Sequence, residues 1–268
     1  MERIKTKWKD ESYLARLRAA DQANECLYHI LDIGQEMLQC GGEISRVEDS
    51  IRRLCLAFGA ERADVFTITS NIQATIYSHR FGAVTQTRRV QGMRYDLQRL
   101  EQLNDLCRHI CAEHLSLEEM SAAVERIRAG RGYGFSLQIL SYALVSASFS
   151  LFFGGSLRDA AVSGVIGVLL KCLDRMIRRT QANALLSALI CSCLGGLMAA
   201  AAVQTGLGHS EEMISIGNIM LLIPGIALTN SLRDMFSGNT MSGLLRFLEA
   251  IIMAMVIAFG FALVAALV

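Results

Sequence analysis

The chain has 268 residues, 52% of them hydrophobic, with a mean hydropathy of +0.36 and a formal net charge of +1. That balance excludes a nucleic-acid binder and an ordinary soluble domain. Residues 1–132 hold 19 of the 26 Lys and Arg and 19 of the 25 Asp and Glu. The asymmetry predicts a charge-rich N-terminal domain (1–132) joined to a transmembrane domain (133–268).

The opening stretch MERIKTKWKDESYLARLRAADQ is charged and lacks the apolar core of a cleavable signal peptide. The first hydrophobic span begins near Phe135, so the preceding domain is expected in the cytoplasm. Residues 10–39 read as a helix, with Leu27, Ile30, Leu31, Gly34, Met37 and Leu38 at helical spacing. Gly41 and Gly42 break it. A second helix runs from Glu43 to Phe58, with Glu48/Arg52 and Asp49/Arg53 as i,i+4 pairs in the stabilising order. Gly59 fits the left-handed position after its end. Ala63–Ser70 and Ile72–Ser78 are rich in β-branched and aromatic residues and read as strands, with Gly82–Val90 a third. Helices over 95–113 and 117–129 complete an α+β domain with a small antiparallel sheet.

Three constellations in this domain bear on chemistry. Gly41, Gly42, Glu43, Arg46 and Glu48 lie in GGEISRVED, where two glycines permit close backbone approach and a helix start attracts anions. Glu43 competes for that helix start, and a plain helix N-terminus with ion pairs is the simpler account. Cys107, His109, Cys111 and His114 match no zinc spacing, because on one helix His109 points away from the two thiols. Ser78 and His79 lack a G-x-S-x-G elbow and an identifiable orienting acid. No enzyme activity, metal or cofactor is expected. The eight cysteines read as free thiols serving as small hydrophobes.

Five transmembrane helices are expected, at about 135–153, 157–176, 182–206, 213–232 and 244–268. The second is the weakest, since only Ala160–Leu170 is uncharged between Asp159 and Lys171. The third carries CSCLGGLMAAAA, small enough for close helix approach. Arg126, Arg128 and Arg131 precede the first span; Lys171, Arg175, Arg178 and Arg179 lie between the second and third; Arg233 and Arg246 lie between the fourth and fifth. With the N-terminal domain cytoplasmic, an odd number of spans satisfies the positive-inside rule throughout.

The fourth span contains Pro224, the chain's only proline, followed by Gly225. Proline removes a donor and clashes with the preceding turn, so this helix is expected to kink or break near mid-membrane. It leads to Thr229, Asn230, Ser231, Arg233 and Asp234. That pattern fits either a translocation path or a packed, kinked helix ending in an interfacial ion pair. The sequence SLRD occurs at Ser156–Asp159 and again at Ser231–Asp234, on opposite membrane faces in the five-span topology. Inverted repeats of transporters build alternate mouths in this way.

LIPGIALTNSLRDMFSGNTMSGLLRFLEA, FFGGSLRDA and GGEISRVED resemble marker stretches of the threonine/serine exporter family over roughly residues 25–268. Family members are ten-span chains or split pairs, and this sequence resembles the larger subunit of a split exporter, nearest to the succinate exporter type. The resemblance implies ion-coupled export of threonine, serine or a dicarboxylate across the bacterial inner membrane. It also implies a small integral membrane partner, with self-association as the other way to complete a pathway. On that reading Pro224, Gly225, Asn230, Arg233 and Asp234 line the path, and Arg158 and Asp159 line its other mouth. Arginine suits carboxylate recognition, and Asp234 or Glu249 is the candidate carrier of a coupling proton. The alternatives are a membrane-anchored enzyme or a sensor acting through the cytoplasmic domain.

Overall fold

The computed structural model describes residues 11–113, 115–130, 132–180 and 183–267, with backbone only at residues 11 and 12. His114 of the cysteine–histidine group, Arg131 of the loop charges, the start of the third span at 182, the opening stretch 1–10 and the last residue, Val268, lie outside the described residues. The chain is mostly helical, with one three-stranded sheet near the N-terminus. It divides into two compact units, Met1–Gly130 with Thr229–Phe247, and Arg131–Leu228 with Leu248–Val268. Residues Thr229–Phe247, read from sequence as the end of one span, the loop after it and the start of the next, thus pack with the N-terminal unit.

In that unit, helix α1 (Glu11–Gln39) and helix α2 (Ile44–Ala57) are followed by strands β1 (Arg62–Ile68), β2 (Asn71–Ser78) and β3 (Gly82–Arg89). The strands form an antiparallel meander in the order β1-β2-β3. The period-2 pattern puts Ile72, Ala74 and Ile76 of β2 into the core, where they join Leu27, Ile30, Leu31, Met37 and Leu38 of α1 and Ile44, Val47, Ile51 and Leu54 of α2. Helices α3 (Leu97–Glu113) and α4 (Leu117–Ala129) add Leu103, Ile110, Met120 and Val124 to the same core. Asp49 pairs with Arg53 at 2.8 Å on the exposed face of α2. Glu48, expected to pair with Arg52, instead accepts a 2.7 Å hydrogen bond from the Thr67 amide of β1. Burial pushes the thiols of Cys26, Cys55 and Cys107 up to about 12, so at neutral pH they are uncharged core residues.

The second unit contains α5 (Phe135–Phe152), α6 (Leu157–Arg179), α7 (Ala184–Gln204), α8 (Glu211–Leu222), the first turn of α9 (Gly225–Phe236) and most of α10 (Thr240–Leu267). Among the described residues, α5, α7 and α10 are long and apolar enough to cross a membrane, and the bent pair α8–α9 is a fourth candidate. Helix α6, the expected second span, does not meet that standard. Its uncharged centre, Ala160–Leu170, is about 16 Å long at 1.5 Å per residue, against a hydrocarbon core of about 30 Å. Small residues set the packing, as the third segment's composition predicted. A Cβ on Gly167 of α6 would lie 2.9 Å from the Tyr142 carbonyl of α5, and one on Gly196 of α7 would lie 3.2 Å from Val264 of α10.

Candidate functional site

Two stretches singled out in the sequence, GGEIS and NSLRD, meet in the N-terminal unit. Helix α1 ends in a Schellman turn: the Gly41 amide donates to the Leu38 carbonyl and the Gly42 amide to the Met37 carbonyl. Gly41 has φ +93°, which a side chain rarely adopts, and a Cβ on Gly42 would sit 2.8 Å from the Met37 carbonyl oxygen. The chain then turns directly into α2. Glu43 occupies the N-cap position of α2, yet its side chain caps nothing. It reaches the Arg233 guanidinium instead, in an ion pair with that residue 57% exposed.

The missing cap comes from Asp234. Its Oδ1 accepts from the Ile44 amide at 3.1 Å, at the start of α2, and its Oδ2 accepts from Arg246 Nη1 at 3.0 Å. Asp234 and Arg246 are each 1% exposed. Asn230, one turn earlier on α9, donates from Nδ2 to the Gly41 carbonyl at 3.0 Å. Ser242 of α10 donates to the Thr67 carbonyl of β1 at 3.1 Å.

The local sequence makes this arrangement possible. Helix α9 closes at Gly238 in a second Schellman turn, in which the Asn239 amide donates to the Asp234 carbonyl. The chain reverses into α10 over Ser237–Asn239. A Cβ on Gly243 would meet the Ser231 carbonyl at 2.7 Å, so α9 and α10 touch backbone to backbone there. That close approach carries Arg246, one turn further along α10, onto Asp234. Arg246 Nε and Nη2 and the Thr67 hydroxyl are buried without a partner among the described residues. The junction therefore holds polar groups not fully satisfied in this state, a costly arrangement in a purely structural contact.

The remaining predicted residues separate. The helix breaks as expected at Pro224: α8 ends at Leu222, α9 begins at Gly225, and the two are bent by 54°. Pro224 itself starts the new helix, accepting from the Leu228 amide at 3.1 Å. Arg158 and Asp159 are neighbours in sequence but diverge in space. Arg158 is exposed beside an apolar groove lined by Val162, Val165 and Leu207. Asp159 is 1% exposed and accepts from the Ser156 amide and hydroxyl and from the amides of His209 and Ser210, at 2.6–3.1 Å. Glu249 and Arg46 are exposed. Ser242 and Thr67 were not singled out from sequence, and Arg246 was read only as a charge between the fourth and fifth spans. The signal for Arg246 was its position: with a tight reversal at Gly238–Asn239, it is the cation that falls opposite Asp234.

The second unit has its own buried polar group. Ser146 of α5 lies 2.7 Å from the Ser163 hydroxyl of α6 and donates to Asn218 Oδ1 of α8 at 2.8 Å. Asn218 Nδ2 donates to the Ile214 carbonyl at 2.9 Å. All three side chains are fully buried.

The model of the family described as "Putative threonine/serine exporter", ThrE, matches residues 29–268. The chain belongs to the threonine/serine exporter family. It is also 24% identical over 230 residues to a Klebsiella aerogenes protein named "Probable succinate transporter subunit YjjP", covering 84% of this chain and 86% of that one. No solved structure matches. The family is one of transporters, so the chain is a membrane protein of transport rather than of catalysis.

The enzyme-like constellations are consistent with that. The acid that sequence reasoning did not find beside Ser78 and His79 is Glu61. Its Oε1 accepts from both the Ser78 hydroxyl and the His79 amide at 2.9 Å, and the His79 amide bond holds its carboxyl below the usual range. The Ser78 hydroxyl is directed at Glu61 rather than at the imidazole, so the group ties the β2–β3 turn instead of activating a nucleophile. Among the described residues no group of three or more His, Cys, Asp or Glu could hold a metal. Cys107 is buried against the Met37 sulfur, and His109 lies beside Glu113.

Proposed function

We propose that the chain is one subunit of an inner-membrane exporter of small carboxylates, threonine and serine or a dicarboxylate such as succinate, coupled to an ion gradient. The observation that carries the reading is the buried Asp234–Arg246 pair, which follows the Pro224 break and holds the first turn of α2. The name of the Klebsiella relative, a transporter subunit, supports a small integral membrane partner. The positive-inside rule supports five spans in a transmembrane domain over 133–268, with domain 1–132 in the cytoplasm. On this count α6 crosses the membrane by packing its charged last turns against α5.

Arg233 holds the Glu43 carboxylate in the resting arrangement while staying half exposed. A substrate carboxylate can take the place of Glu43 there, since a guanidinium binds either one through the same pair of donors. Asp234 is the first candidate for the coupling proton and Glu249 the second, because neutralising Asp234 would remove the partner of Arg246. Pro224, Gly225 and Asn230 form the segment that moves with them, and Arg158 and Asp159 belong to the opposite mouth.

Efflux of labelled threonine, serine and succinate from cells expressing the chain, with and without a small membrane partner, tests this reading. Partner-dependent efflux of one of the three is expected. No efflux of any, with both chains intact in the membrane, would overturn it.

A further inference from the structure

At the C-terminal end of α6, four cations line a pocket of about 500 Å3 against the start of α5. Lys171, Arg175 and Arg178 recur at i, i+4 and i+7 and so share a face of α6, with Arg179 adjoining. Phe135 and Tyr142 recur at i and i+7 on α5. The two stripes are in contact: the Arg175 guanidinium lies 4.0 Å from the Phe135 ring centroid, and Lys171 Nζ lies 4.6 Å from that of Tyr142.

Among the described residues lining the pocket one carboxylate is present, and it is already engaged. Asp174 takes Arg178 Nε on both oxygens at 2.9 Å and has Lys171 Nζ at 3.8 Å. Arg175 and Arg179 have no carboxylate partner among the described residues. The pocket therefore keeps an excess of positive charge beside the start of α5, a helix long and apolar enough to cross a membrane. On α6 itself Val165, Leu169 and Met176 recur at i, i+4 and i+11 and are all exposed, forming an apolar stripe that flanks Arg179. Cations in a recess with an exposed apolar belt beside it match an amphiphile with an anionic head.

We propose that this pocket binds the phosphate group of an anionic membrane phospholipid, with Arg175 and Arg179 on the phosphate and the acyl chains along the exposed apolar stripe of α6. Guanidinium pairs bind phosphate oxygens bidentately, and basic recesses between membrane helices are suited to lipid headgroups. The site shares no residue with the Asp234 junction and does not depend on which substrate is exported.

Native mass spectrometry of the purified full chain tests it, with phosphatidylglycerol and phosphatidylcholine titrated in parallel and inorganic phosphate and succinate as competitors. Phosphatidylglycerol is expected to be retained preferentially and to resist millimolar phosphate or succinate. Arg179→Gln, at an exposed helix end where refolding is not at issue, is expected to weaken retention about five-fold, and Arg175→Gln with Arg179→Gln about thirty-fold. Equal retention of the two lipids, or unchanged binding by both variants, would overturn the proposal. Displacement of the lipid by inorganic phosphate or succinate would overturn it too, making this a site for soluble anions.

Discussion

In Ser156–Asp159 the tetrapeptide Ser-Leu-Arg-Asp opens a helix; in Ser231–Asp234 it ends near the close of one. Both aspartates are 1% exposed, and both accept from amides at the start of another helix. Their remaining partners differ for a positional reason. Asp159 lies at the third position of α6, where helix amides point toward it, and Ser156 completes a capping box with it. Asp234 lies in the last turn of α9, where the exposed carbonyls carry partial negative charge. It cannot be satisfied by its own helix and relies on a distant amide and a buried guanidinium. One copy is a cap shared between the starts of α6 and α8, while the other is a junction of three segments held by a buried charge pair.

Removing the counter-ion of Asp234 separates the two copies most strongly. Arg246→Ala leaves a buried unpaired carboxylate and is expected to cost about 3–5 kcal/mol. Hydrogen exchange of the first turn of α2 would read this as lost protection, while the turn at Asp159 stays unchanged. Replacing both partners, Asp234→Leu with Arg246→Met, is expected to cost much less than either single change, since no charge is left buried alone. At the other copy, Asp159→Asn leaves donors of Ser156, His209 and Ser210 facing an amide, with an expected cost of about 1–3 kcal/mol at the starts of α6 and α8. Ser156→Ala is smaller, about 0.5–2 kcal/mol, and is read by fraying of the first turn of α6.

The smallest expected effect is in pH dependence. Burial raises the Glu48 carboxyl above its usual value, opposed in part by the Thr67 amide and Arg52. A carboxyl raised on folding contributes stability that is present below its unfolded value and lost as pH rises through its folded one. Glu48→Gln is therefore expected to flatten the decline in melting temperature of the N-terminal unit between acid and neutral pH. An unchanged pH profile would remove Glu48 from the account.

Much of the N-terminal unit was legible in the sequence because its period changes are sharp. The alternation in β2 and the 3.6 spacing of Leu27, Ile30 and Leu31 each permit one structure, and Gly59 marks the end of α2. The helix break at Pro224 was legible for the same kind of reason, since proline forbids the alternative. What was not legible was where 229–247 packs. That depends on Gly243 admitting the α9 backbone and on Asp234 reaching an amide 190 residues away in sequence, and neither has a local signature. Hydropathy assigned those residues to two span ends and the loop between them, because it weighs composition and not partners. The SLRD echo likewise matched letters at two positions with opposite helix polarity.

The central claim is that Asp234 ties the helix after the Pro224 break to the first turn of α2 and that transport requires its charge. Efflux measured with Asp234→Asn, at matched amounts of folded protein in the membrane and with the small partner present, tests it most directly. The account predicts efflux falling to background, whereas wild-type efflux from this variant would contradict it.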